Sequence, residues 1–153
     1  MKSLSDPQHR VAIVERIKTV HPESRAVWGR MNAHQMLCHC TDAFRVAFGE
    51  KTVSPAPWPI PGRLLKLGAL WFPVAWPKNV ATRPEIDQAG GAGTNPTDFT
   101  LDRRKLIGSL DRFCRTDLEL AGAVHPIFGS MSSADWKRWA WLHLDHHLRQ
   151  FGC

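Results

Sequence analysis

No stretch of 18 consecutive apolar residues occurs in the 153-residue chain, so the sequence offers no helix able to span a bilayer. The N-terminal run MKSLSDPQHRVAIVERIK lacks an apolar core and carries charge early, which argues against a secretory signal. Internal repeats and low-complexity segments are also lacking, which excludes a solenoid or a largely disordered chain. Tyrosine is absent, and there are only four cysteines. Cys38 and Cys40 lie two apart within a helical pattern and point to different sides, so they are not expected to pair. With no export signal, the expectation is reduced thiols in a cytoplasmic protein. Hydrophobic residues at 43% and charged residues at 22% are ordinary for a globular domain, and the length suits one domain over 1–153. The net charge of +6 invites an anionic partner. However, the basic residues are scattered and not interleaved with aromatics. Arg103-Arg104-Lys105 and Lys137-Arg138 read as solvated helix faces, and no nucleic-acid partner is expected.

What the sequence does hold is eight histidines and seven tryptophans. Periodicity predicts a first helix over 7–20, with Pro7 in its first turn and Val11, Val14, Ile17 and Val20 on one side. A second starts near Asn32, where Asn32 and Gln35 have capping-box spacing, and runs to about Gly49. Its stripe is Met36, Cys40, Ala43 and Ala47, widened by Leu37 and Phe44. Residues 50–97 form a long connection holding eight of the eleven prolines. Within it, 62–72 reads as a short helix packed as a flap, and Gly90, Gly91 and Gly93 read as a flexible approach to the third helix. That helix covers about 98–117, with Phe99, Leu106, Leu110 and Phe113 as its seam. A loop over 118–131 follows. The last helix begins at Ser132, with Asp135 in capping-box spacing, and reaches about Gln150. No segment reads as a persuasive strand. The expected fold is all-α: a four-helix bundle with a long Pro/Trp-rich connection between helices 2 and 3.

On a wheel of about 100° per residue with Trp136 at zero, Lys137, Arg138, Asp145 and Arg149 mark a solvent side of the last helix. His143 falls at about 340° and His147 at about 20°, both inside the buried stripe, while His146 lies on the flank at about 280°. Two buried imidazoles are costly without partners, at about 1–3 kcal/mol per unmet polar group. A divalent ion answers both, because neutral imidazole is a good ligand and adjacent turns bring two nitrogens to one point. The competing reading is a pair of core histidines satisfied by carboxylates or carbonyls. The best third ligand is His39, at the edge of the second helix's stripe. His34 reads as a surface residue, and a set built from Cys38, His39 and Cys40 is disfavoured because its cysteines diverge.

The run Trp28-Gly29-Arg30-Met31-Asn32-Ala33-His34-Gln35-Met36-Leu37-Cys38-His39-Cys40 is followed downstream by His125-Pro126-Ile127-Phe128-Gly129. Then comes His143-Leu144-Asp145-His146-His147-Leu148-Arg149-Gln150-Phe151, an HxxHHxxQ segment. Together these resemble the DinB/YfiT-like superfamily, and more closely a DinB-like branch of unassigned activity that ends in this His-rich segment. The likeness runs from the first helix to Phe151 and is weakest across 50–97. It implies a four-helix bundle holding a divalent metal, zinc or nickel, on three histidines that match His39, His143 and His147. It also implies a small-molecule substrate and, as in most members of known activity, thiol transfer or isomerisation with a low-molecular-weight thiol, or metal-dependent hydrolysis; many members have no known reaction. The sequence departs from better-known members in its long second connection and in the extra imidazole of His146.

Three neutral imidazoles leave a coordination position open, as in catalytic zinc sites, where the ion lowers the pKa of water or holds a thiol as thiolate. His146 is a candidate general base, against a flank residue bonded to backbone. Gln150 and Asp42 are candidates for orienting the ligands, although Gln150 reads equally as a cap-region residue and Asp42 as facing solvent. His125 reads as a loop-ordering residue, and Trp58, Trp71 and Trp76 as candidates for a substrate cover. The expected function is a metal-dependent enzyme of thiol-transfer or hydrolase type. The alternative is a non-enzymatic bundle that binds a small ligand or serves a stress response. A homodimer is the assembly considered.

Overall fold

The structure is a computed structural model that describes residues 1–55, 59–73, 75–115 and 124–153. The described part is mostly helical, with five α-helices, α1 (Pro7–Thr19), α2 (Ala33–Ala47), α3 (Gly62–Trp71), α4 (Phe99–Arg115) and α5 (Ser133–Gln150). A single 3-10 turn, Pro84–Ile86, and a two-stranded antiparallel ladder, β1 (Val124–His125) and β2 (Gly129–Ser130), complete it. The ladder corrects the strand-free expectation. Two paired residues per strand are too few to leave an alternating pattern in a sequence. Residues 116–117 of the predicted third helix and 118–123 of the loop after it lie outside the described residues.

Three helix starts, those of α1, α2 and α5, carry side-chain caps. Asp6 Oδ1 accepts from Gln8 N at 2.8 Å and Pro7 follows, so α1 begins with a cap and a residue that needs no amide partner. Asn32 and Gln35 close a reciprocal capping box on α2, at 2.8 and 2.9 Å. Ser132 and Asp135 do the same for α5, at 3.2 and 3.0 Å.

The core lies where α2 runs along α4 and α1 packs against both α4 and α5. Met36, Cys40, Ala43 and Phe44 from α2 meet Leu106, Leu110 and Phe113 from α4, with the Phe44 and Phe113 rings 5.0 Å apart. From α1, the inward residues are Ile13 and Ile17, joined by Val20 just past its end. Val11, expected on that stripe, is exposed, because the i, i+4, i+7 spacing that reaches the core starts at Ile13. Burying these side chains contributes roughly 1.5–3 kcal/mol each, which makes the helix pairing rather than local propensity the source of stability.

The connection 50–97 is ordered by polar ties. Asp42, expected to face solvent, is fully buried. Its carboxylate accepts from Lys51 Nζ (2.6 Å), Gln88 Nε2 (2.9 Å), Thr94 N (2.8 Å) and Thr94 Oγ1 (2.7 Å). Those donors come from up to 52 residues away, so the α2 wheel alone could not show them. Burial raises the Asp42 pKa, but the Lys51 and Thr94 hydrogen bonds outweigh it and hold the carboxyl below its usual value. The glycines before α4 are not merely a flexible lead-in. A Cβ on Gly91 would stand 2.3 Å from the Pro84 carbonyl oxygen, so that position requires a residue without one.

Helix α3 docks on the start of α5. Lys66 Nζ and Trp71 Nε1 both donate to the Asp135 carboxylate, at 2.9 and 3.1 Å. Arg138 Nε donates to the Leu70 carbonyl at 2.9 Å, and a second Arg138 nitrogen donates to the Lys2 carbonyl. Arg138 is therefore buried rather than solvated, because α3 and the N-terminus cover what would otherwise be the outer face of α5. No described helix is long and apolar enough to cross a membrane.

Candidate functional site

Helices α2 and α5 meet with His39 facing His143 and His147. One ring nitrogen from each lies within 4.8 Å of the others. His39 and His147 are buried, while His143 keeps some exposure to the cavity it lines.

Two of the three tautomers follow from fixed partners. His39 Nδ1 lies 2.8 Å from the Ile86 carbonyl, which can only accept, so Nδ1 carries the proton and Nε2 of the neutral ring is a bare acceptor. His147 Nδ1 lies 2.9 Å from Gln150 Oε1. The other end of that amide, Nε2, donates to the Trp28 carbonyl at 2.7 Å, which fixes Oε1 as the acceptor. His147 Nδ1 therefore donates, and its Nε2 is left bare as well. His143 has its Nε2 3.3 Å from His39 Nε2, and its ring stacks on Trp139 with centroids 5.1 Å apart and 15° between planes.

The Trp28-Gly29 pair makes this possible. Gly29 has φ +82°, and a Cβ there would stand 2.5 Å from Gln150 Nε2. Only glycine combines that backbone with room for the amide. The signal was visible in the Trp28-Gly29 motif, but its role was not, because Gln150 is 122 residues away along the chain from Trp28.

Burial lowers the pKa of all three imidazoles, those of His143 and His147 furthest; neighbouring imidazoles push the same way at His143 and His147, whereas at His39 the Ile86 hydrogen bond and Asp42 oppose it without overcoming it. The rings are thereby held neutral. His146 is half-buried on the cavity wall, with its ring 5.7 Å from Trp28 and 6.2 Å from Trp76, and burial lowers its pKa too. Gln150 is committed at both ends of its amide, so it orients His147 rather than meeting a ligand itself.

The three rings line a cavity of about 570 Å³ between α2, α3, α5 and residues 76–89. Trp76 lines it and donates to the Ala69 carbonyl at 2.8 Å. Trp71 is instead spent on Asp135, and Trp58 lies outside the described residues. His125 accepts from the Ile127 and Phe128 amides through Nδ1, both at 3.2 Å, and stacks on Phe128. Burial pushes its pKa down to about 3.

His34, expected at the surface, is partly buried and pairs with Asp102 at 2.9 Å. His34, Cys38 and Asp102 form a second tight group. The Asp102 oxygens already accept from Lys105 Nζ (2.8 Å) and Thr97 N (2.9 Å), and burial first, then Asp102, pushes the Cys38 thiol up to about 12. This second group works as a polar tie between α2 and α4.

A family model described as a protein of unknown function (DUF1569) matches residues 81–152. The matched segment contains His143, His146, His147 and Gln150 but neither His39 nor Trp28. No match to a curated protein or to a solved structure was found.

Proposed function

We propose that the protein is a metal-dependent enzyme whose divalent ion, zinc or nickel, is held by His39, His143 and His147, in a DinB-like four-helix bundle formed by α1, α2, α4 and α5. The observation that carries this reading is the convergence of three ring nitrogens from two helices, two of them bare Nε2 atoms fixed by carbonyl and amide partners. The donor set fits the ion: three neutral imidazoles, two of them oriented through their other nitrogen, with an open cavity on the remaining side. A bound ion would supply Lewis acidity to a water or a thiol.

The chain's own residues supply the rest. Ile86 and Gln150 hold two rings in the ligating tautomer. Trp28, Trp76 and Trp139 wall the cavity with apolar surface, which lowers the local dielectric and strengthens electrostatic interactions there. His146, the remaining imidazole at the site, is positioned to accept a proton from a nucleophile in the cavity. The reaction is hydrolysis or transfer of a thiol to a small molecule.

The test is turnover of aryl esters and amides, and of electrophiles with glutathione, by metal-stripped and reconstituted protein. The expected result is activity restored by zinc or nickel and lost in His143→Ala. Stoichiometric metal without turnover on either panel would favour the other reading, a ligand-binding bundle with no chemistry.

A further inference from the structure

The outer face of α3 is apolar and open to solvent. Leu64, Leu67 and Trp71 follow at steps of three and four residues, which puts them on one side of the helix. Leu64 is 61% exposed, Leu67 52%, and Trp71 is exposed beside them. Ile60 just before the helix and Phe72 just after it are exposed as well. The inner face is apolar too: Leu70 is fully buried, and Leu65 and Ala69 line the cavity. A helix apolar on both sides belongs between two apolar neighbours, and among the described residues α3 has one. A single exposed leucine costs little, but a contiguous apolar patch marks a surface that is covered in use.

Charge identifies the cover. Between residues 51 and 84 the sequence holds Lys51, Arg63, Lys66, Lys78 and Arg83 and no acid. Among the described residues the only carboxylate bonded to α3 is that of Asp135, and Lys66 neutralises it at 2.9 Å. Arg63, in the first turn of α3, is exposed and has no carboxylate partner among the described residues. Lys78 is likewise exposed, with its ammonium over the Trp28 ring. It follows Trp76, whose indole is tied to the Ala69 carbonyl of the same helix. Leucine and tryptophan on one face with unpaired cations beside them is the composition of a helix that lies in an anionic lipid surface. Trp71 suits that position further. Its Nε1 already donates to Asp135 at 3.1 Å, so the ring can enter an apolar phase without stranding a donor. A second copy of the chain would set Arg63 and Lys78 among like charges, which disfavours it as the cover.

We propose that α3 docks the protein on the surface of a membrane containing anionic lipid, with Leu64, Leu67, Trp71 and Phe72 seated at the boundary of the acyl chains and Arg63 and Lys78 among the headgroups. This is peripheral binding, in keeping with the lack of any described helix able to cross a bilayer. It stands whether or not the three histidines hold an ion. Because the other side of α3 walls the cavity, docking holds that cavity within about one helix diameter, 10–12 Å, of the lipid.

The test is flotation of the full chain with vesicles of phosphatidylcholine alone and of phosphatidylcholine with about one third phosphatidylglycerol. Binding to the mixed vesicles is expected to be about tenfold tighter than to phosphatidylcholine alone and to weaken as salt rises. Leu64→Ser combined with Leu67→Ser changes only exposed positions, so it should keep the unfolding midpoint and lose about tenfold or more in vesicle affinity. Arg63→Gln should weaken binding several-fold on the mixed vesicles and leave phosphatidylcholine binding unchanged. Lipids brominated on their acyl chains should quench tryptophan emission, and quench it less in Trp71→Phe. Failure to float with either vesicle overturns the proposal. Binding that survives the double leucine variant also overturns it, since the attraction would then be one of net charge alone. A dimer in solution that the same variant dissociates overturns it too, by making the cover a second copy.

Discussion

His39 Nε2 and His143 Nε2 face each other at 3.3 Å across the α2–α5 interface. With the His39 Nδ1 proton committed to Ile86, the neutral pair has one arrangement of its own, in which His143 Nε2–H donates to His39. A cation between the rings would need that proton moved to His143 Nδ1. The pair is therefore satisfied without an ion and able to ligate one after a single tautomer change.

Gln150 is the residue through which that centre is tuned. Replacing it with leucine removes both the acceptor for His147 and the tie to Trp28. Zinc affinity is expected to fall about 10- to 100-fold, as for other residues that orient metal-bound histidines. Gly29→Ala should move in the same direction, since its methyl group collides with the Gln150 amide at a backbone angle alanine resists. Competition against a chromophoric chelator measures both. Unchanged affinity in Gln150→Leu would mean that the amide does not orient the ring.

His125 predicts a pH effect on stability. Its folded pKa of about 3 lies below the ordinary histidine value, so the unfolded chain binds the proton first as pH falls. The stability it contributes is complete above about pH 6.5 and is lost toward pH 3, at about 1.4 kcal/mol per pH unit. Asparagine at this position keeps an acceptor for the Ile127 and Phe128 amides and does not titrate. His125→Asn should therefore show a shallower loss of urea-unfolding free energy between pH 6.5 and 4 than the parent chain. Parallel slopes would place the titration elsewhere.

Asp42 predicts a large structural effect. Asp42→Ala leaves Lys51 and the Thr94 amide without their acceptor, and the expected loss is about 3–5 kcal/mol, at the lower end because Lys51 retains some contact with water. Chemical denaturation measures it. A loss under about 1 kcal/mol would show that the 88–94 segment is held by other contacts.

The helices and the inward imidazoles were legible in the sequence because both depend on local spacing. The two capping boxes and the α2 stripe from Met36 to Ala47 need only residues within one helix. His143 and His147 share a face through i, i+4 geometry. Asp42, Arg138 and His34 were misplaced for one shared reason: their partners, Thr94, Leu70 and Asp102, sit far along the chain. A wheel sorts residues by polarity and cannot see a carbonyl or carboxylate brought in from another segment. Val11 failed differently, since an apolar side chain at the surface costs little.

X-ray absorption at the zinc edge, on protein loaded with one equivalent of zinc, tests the central claim most directly. The account predicts one ion with three nitrogen ligands at about 2.0–2.1 Å, and loss of that shell in both His39→Ala and His147→Ala. Failure to retain zinc at micromolar concentration, or a sulfur-containing shell pointing to Cys38, would contradict it.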